Sequence, residues 1–208
     1  MMTQKPADWQ LMSFSAPAAD RPDHTDRAVR TDPALPAVAI VDIDGVVADV
    51  RHRVGHLQRY PPDWGGFFAA ADRDHPLPVG VERVHALVES GHEVIWLTGR
   101  PEWLRDLTED WLTEQGLPVG MLLMRPNYDR RPARVLKSAM VRALADGRPV
   151  PTFTARPPRR IAVVVDDDTL VVERLRADGW SVEQADWIGL AGDGAERLNE
   201  AQEREGRT

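Results

Sequence analysis

With 208 residues, 42% hydrophobic and 28% charged, the chain has room for one domain with a sizeable core and matches soluble globular proteins in composition. The absence of cysteine excludes disulfides, zinc–thiolate centres and thiol nucleophiles. A formal net charge of −7 argues against a non-specific nucleic-acid binder, although carboxylates gathered around a metal would inflate that count.

Residues 1–36 are rich in Pro, Ala, Asp and Arg without a sustained apolar period, and are expected to form a disordered or loosely held extension. They lack the basic start and apolar stretch of a secretory signal. The longest apolar runs, such as 161–165, fall far short of the roughly 18 residues of a membrane span. The expectation is a cytoplasmic protein without membrane contact.

The first strand is predicted over 37–43, an apolar, β-branched run. Residues 50–78, with Pro61-Pro62 and Gly65-Gly66, read as a loop excursion holding one short helix around 64–71. Val81, Val84, Leu87 and Val88 make one face of a helix that Gly91 ends, and 94–97 is the next strand. Pro101 is expected to open a helix striped by Leu104, Leu107, Trp111 and Leu112, with Gly116 after it. A strand at 119–124 leads to a helix from Pro132 carrying Val135, Leu136, Met140 and Leu144. A strand at 161–165, a helix at 170–177 ended by Gly179, and a last short strand from Trp180 complete the domain, predicted over 37–190. Residues 191–208 read as a charged tail. Strands alternating with helices in this way predict an α/β fold, a doubly wound, Rossmann-like parallel sheet of about five strands.

In such a sheet ligands bind beyond the carboxyl ends of the strands. The first strand runs into Asp42-Ile43-Asp44-Gly45, the second into Thr98-Gly99-Arg100 and the fourth into Asp166-Asp167-Asp168. The third runs into Arg125, with Arg130, Arg131, Arg134 and Lys137 on the way into its helix. Taken singly, each has a plain structural reading: Asp caps helices, Asp-Gly is a turn, and Lys137 alone would be a solvated helix lysine. Five Asp residues on two adjacent strand ends must protonate or share a cation, and Mg²⁺ is the ion that a few carboxylates and a phosphate hold together. The arginines after the third strand lie on the same side and suit a second phosphate of the substrate, whereas Arg156, Arg159 and Arg160 precede the fourth strand at the opposite end.

AIVDIDGVV, VIWLTGR, Lys137 and IAVVVDDD resemble the four motifs of the haloacid dehalogenase-like phosphatase superfamily. LLMRPNYDRRPARVLK and VVDDDTLVVERLRADGW are most similar to the phosphatase domain of polynucleotide kinase-phosphatases. That group tends to carry Arg after the paired aspartates, where this chain has Asp168, which makes the site more acidic.

The resemblance implies a Mg²⁺-dependent phosphomonoester hydrolase with catalytic Asp42, Asp44, Thr98 and Lys137. Asp42 would form an aspartyl-phosphate and Asp44 would carry the proton. Asp42, Asp166 and the Asp44 carbonyl would hold Mg²⁺, with Asp167 in support. Gly99, Arg100, Arg125, Arg130 and Arg131 are the substrate-binding candidates. Little sequence is free for a covering domain, so only a minimal cap is expected. The implied substrate is a phosphorylated nucleotide or nucleic-acid end, with a 3′-phosphate in first place. A small-metabolite phosphatase and a phosphate-binding module without turnover are the alternatives. Oligomeric state is left open.

Overall fold

The computed structural model describes residues 37–150, 152, 154, 156–187, 201 and 203. The extension expected over 1–36 lies outside the described residues, as does the tail apart from Ala201 and Glu203.

Five strands, β1 (Ala37–Val41), β4 (Glu93–Pro101), β5 (Met121–Arg125), β6 (Arg160–Asp166) and β7 (Val182–Gln184), form one sheet in the order β5-β4-β1-β6-β7, every pair parallel. This is the expected doubly wound sheet. Successive residues of β1 face opposite sides, as the pleat requires. Ala39 and Val41 join one core with Trp96, Met124 and Val165, while Val38 and Ile40 join the other with Ile95, Leu97 and Leu123. Helices α2 (Pro78–Glu89) and α3 (Arg105–Glu114) cover the first face through Val84, Leu87, Trp111 and Leu112. Helices α4 (Ala133–Asp146) and α5 (Thr169–Ala177) cover the second through Leu136, Met140, Leu144, Val171 and Leu175. Each such side chain contributes about 1.5–3 kcal/mol when fully buried. The connections run from β1 outward through β4 and β5, then return past β1 to β6. The order therefore reverses between β1 and β6, and the carboxyl ends of those two strands flank the crevice where such sheets bind ligands.

The structure departs from the predicted elements around Pro101, at two helix positions and in the excursion after β1. Pro101 does not open a helix: it ends β4, pairs with Arg125, and is followed by a 3₁₀ turn (Glu102–Leu104) before α3. Strand β4 therefore carries Thr98-Gly99-Arg100 within it, through a register irregularity between Leu97 and Pro101. Val88 and Val135 are 44% and 38% exposed, because each lies one residue, about 100° of helical turn, from the buried centre of its stripe.

The excursion after β1 is more than a loop. It holds a two-residue ladder of β2 (Ala48–Asp49) with β3 (His75–Pro76), a 3₁₀ turn (Val54–Gln58) and α1 (Trp64–Ala69). Val50, Val54, Leu57, Trp64, Phe67 and Phe68 bury into the first core, so this minimal cap is continuous with the domain. Of the C-terminal tail, Ala201 packs against that core and Glu203 pairs with Arg134.

Candidate active site

Asp42 follows β1 directly, its backbone N–H still donating to the Val165 carbonyl of β6 at 2.9 Å. The two strand ends are thereby held side by side. One carboxylate oxygen each from Asp42, Asp166 and Asp167 lie within 4.8 Å of one another. The Lys137 ammonium, on α4, reaches between them, donating to Asp42 Oδ2 at 2.6 Å and to Asp166 Oδ2 at 2.7 Å. Asp42, Lys137 and Asp166 are buried, at 5%, 2% and 1% exposed, while Asp167 is half-buried.

Three carboxylates around one ammonium leave an excess of negative charge. Burial raises the Asp42 carboxyl to about 7, Lys137 pulling it back and Asp166 adding to the rise. Burial likewise raises Asp166 against the pull of Lys137, and raises Asp167 still more, with Asp166 and Asp42 adding their repulsion. Lys137 moves the other way: burial opposes its charge, but Asp166 and Asp42 outweigh it and hold the proton firmly. Asp42 Oδ1 is buried with no hydrogen-bond partner among the described residues. An orphaned oxygen inside an over-negative, all-oxygen cluster fits a hard divalent cation.

The turn between Asp42 and β2 is shaped by that cluster. Gly45 has φ +79°, and a Cβ there would stand 2.1 Å from Asp167 Oδ2, so glycine is required both by the backbone and by the carboxylate.

Asp44 sits in a different environment. Its Oδ1 accepts from Arg53 Nη2 at 2.7 Å and from Arg100 Nη2 and Nε at 2.6 and 3.0 Å. Asp74 closes the square, accepting from Arg53 Nε and Nη2 at 2.8 and 2.7 Å and from Arg100 Nη2 at 2.7 Å. Both arginines are fully buried, Arg53 lying over the Phe67 ring at 4.1 Å. Burial alone would raise the Asp44 carboxyl, but the charges and hydrogen bonds of Arg100 and Arg53 prevail and hold it below the ordinary carboxylate range. Arg100, expected as a substrate ligand, is thus committed to Asp44 and Asp74. Arg53 and Asp74 are site residues that sequence reasoning missed. Nothing in the sequence separates Arg53 from Arg51, whose side chain is 63% exposed two residues earlier.

The remaining candidates sort by their partners. Thr98 is buried, and its Oγ1 accepts from the Arg100 backbone N–H at 3.1 Å, leaving its own hydroxyl proton to donate. Gly99 is buried beside it. Asp168 turns away to cap α5, accepting from the N–H groups of Leu170 and Val171 at 2.8 and 3.3 Å. Arg131 is turned to Asp129 at 2.6 Å. Arg125 and Arg130 line a cavity at the carboxyl ends of β4 and β5.

The order in which these groups leave the strand ends is that of the haloacid dehalogenase-like phosphatases, and the chain is a phosphatase domain of that type. Residues 36–187 match the family model described as the polynucleotide kinase PNKP phosphatase domain, and the chain belongs to this family. Two solved structures of the Pnkp1/Rnl/Hen1 RNA repair complex contain a chain with the same fold, each at 22% identity and TM-score 0.58. The match takes in 74% and 86% of this chain but only 43% and 53% of theirs, so this chain spans about half their length. The class C acid phosphatase of Bacillus anthracis shares the fold at 14% identity and TM-score 0.51, over 86% of this chain and 82% of that one. A Bacillus cereus protein provisionally named a nucleotidase is 41% identical over 44 residues, 21% of this chain and 23% of that protein. Among the described residues no helix is long and apolar enough to cross a membrane.

Proposed function

We propose that the chain is a Mg²⁺-dependent phosphomonoester hydrolase that acts through an aspartyl-phosphate on Asp42, with a nucleotide or the 3′-phosphate of a nucleic-acid end as substrate. The observation that carries this reading is the Asp42 carboxylate, fixed at the switch point of the sheet with one oxygen on Lys137 and the other unpartnered. On this reading Asp42 attacks phosphorus and later surrenders the phosphoryl group to water, which divides one hard displacement into two easier ones. Lys137 neutralises both the nucleophile and the charge that gathers on the transferred group, and Thr98 and Gly99 donate to its oxygens.

Asp42 and Asp166, with the Asp44 carbonyl and with Asp167 in support, would hold the ion. Bound there, it offsets the negative charge that otherwise repels a phosphate. Asp44 is the proton carrier: it gives its proton to the leaving oxygen when Asp42 attacks, and then, in the ionised form that its two guanidinium partners favour, takes one from the attacking water. Family membership, and the nucleotidase name of the Bacillus cereus relative, support a nucleotide or nucleic-acid phosphate over a sugar phosphate. The catalytic unit is residues 37–190, with 1–36 and 191–208 as flanking segments.

Phosphate release from 3′- and 5′-phosphorylated oligonucleotides, nucleotides and sugar phosphates tests the reading directly. Asp42→Asn should reduce release to background on every substrate, and thorough chelation should do the same to the unaltered protein. Wild-type turnover in either case refutes the mechanism.

A further inference from the structure

The cavity at the carboxyl ends of β4 and β5 is built from Trp64, Phe68, Pro101, Trp103, Arg125 and Asn127, with Gly65, Pro126 and Arg130 completing its wall. Its volume of about 190 Å³ is below the roughly 300 Å³ at which drug-sized sites begin, so it takes one ring system and not a length of chain.

Two features mark it as a site. The first is Arg125. It is 2% exposed, gives one nitrogen, Nη1, to the Arg131 carbonyl at 2.7 Å, and holds that same nitrogen 3.8 Å from Asp129 Oδ1. Its Nε and Nη2 are buried and have no hydrogen-bond partner among the described residues. Burial lowers its pKa to about 10, so it stays charged at neutral pH. A buried guanidinium with two adjacent donors idle is costly unless a ligand supplies acceptors. Nε and Nη2 together form the side-on fork of arginine, which matches a pair of neighbouring acceptors.

The second is Trp103. It is 56% exposed at the rim of a cavity whose other aromatic rings are buried. Phe68 meets it edge-on at 5.9 Å, and Phe68 is itself stacked with Trp64 at 5.8 Å. Its backbone N–H donates to Asn127 Oδ1 at 3.1 Å, tying it to the segment that carries Arg125 and Arg130. An indole held in place from behind and open in front is a stacking platform.

Resting on the reading of the substrate as a nucleotide or nucleic-acid end, we infer that this cavity is a nucleobase subsite. The base of the substrate stacks on Trp103 and turns its acceptor edge to Arg125 Nε and Nη2. Guanine, with O6 and N7 side by side, fits that fork, whereas adenine has the N6 amino donor beside its N7. Exposed Arg130 at the rim is placed for a neighbouring backbone phosphate. The proximity of Pro101, one residue beyond Arg100, puts the subsite on the strand next to the nucleophile's own.

The test is binding, so that it does not depend on turnover. Fluorescence anisotropy would give the affinity of Asp42→Asn for labelled 3′-phosphorylated trinucleotides whose terminal unit is guanosine, adenosine or an abasic sugar. Removing the guanine should weaken binding about tenfold, within the range for base–aromatic stacking, with adenosine in between. In Asp42→Asn combined with Trp103→Ala the guanosine and abasic ligands should bind within about a factor of two of each other. Trp103 is at the surface, so that change leaves the core intact. Equal affinity for guanosine and abasic ends in Asp42→Asn, or a base effect unchanged by Trp103→Ala, overturns the subsite. Equal affinity for guanosine and adenosine ends removes the Arg125 edge contact. Phosphate release by the unaltered protein on the same three ligands reports separately on the hydrolase reading, so the two can fail independently.

Discussion

Asp42 and Asp44 are two residues apart and live in opposite electrostatic worlds. Asp42 faces Asp166 and Asp167 with a single lysine for compensation, whereas Asp44 is gripped by two guanidiniums. The difference lies in who the neighbours are, since both carboxylates are buried. The square of Arg53, Arg100, Asp44 and Asp74 is balanced in charge, and removing one corner leaves a buried charge uncompensated. Arg53→Met should therefore destabilise the protein by about 3–5 kcal/mol in urea unfolding. The double variant Arg53→Met with Asp74→Asn should lose clearly less than the sum of the two single losses, because the four groups act as one network. Simple additivity would show that Arg53 and Asp74 do not share it.

Strand ends and helix starts carry the chemistry, and α5 shows how an acidic run is divided between two duties. Asp166 ends β6 and faces Lys137, whereas Asp168 is the N-cap of α5. Asp168→Asn keeps an oxygen acceptor for the helix and should leave stability nearly unchanged, while Asp168→Ala should cost about 0.5–2 kcal/mol. Both variants should retain most of the activity on a small phosphate ester, which a steady-state phosphate-release assay would measure. A loss in Asp168→Asn comparable to that in Asp42→Asn would return Asp168 to the catalytic cluster. The minimal cap makes the same point about elements. Helix α2 approaches the turn after Asp44 so closely that a Cβ on Gly80 would stand 1.8 Å from the Val46 carbonyl oxygen. Packing of α2 and placement of the turn are thus one event.

At the scale of the molecule, the over-negative cluster couples stability to pH and to metal. Asp42 is raised from 3.8 to about 7 in the folded protein. Its contribution to the metal-free protein is full below the unfolded value and is lost as pH rises through about 7. A divalent ion must displace that proton, so apparent Mg²⁺ affinity should fall as pH drops below about 7, with protons released on binding. Calorimetric titration in buffers of different ionisation enthalpy would measure the release, and a pH-independent affinity would contradict the ligand assignment. Saturating Mg²⁺ at a hundredfold its dissociation constant should add about 2.7 kcal/mol of stability. Residues 1–36 are too poor in periodic apolar residues to complete a core, and β1 begins only at Ala37. A chain starting near Pro33 should keep full activity on a small phosphate ester, and a folded but inactive product would place the extension in the site.

The alternation of apolar runs by itself determined the α/β class and the five strands, because burial on both faces leaves β-branched runs that local sequence displays. Asp42, Asp166, Asp167 and Lys137 were legible for a related reason: a parallel sheet delivers whatever follows its strands to one edge, so order along the chain stands in for proximity. The partners of Asp44 were not legible. Arg53 and Asp74 come from an excursion without regular period, and meet Arg100 only because Phe67, Phe68 and Trp64 fold it onto the sheet. The arginines after β5 were equal in sequence, yet Asp129 bonds Arg131 closely and stands 3.8 Å from Arg125, Glu203 pairs with Arg134, and Arg125 Nε and Nη2 stay without hydrogen-bond partners among the described residues. Which charges find partners depends on contacts between segments far apart in the chain, and that is a property of the packed molecule alone.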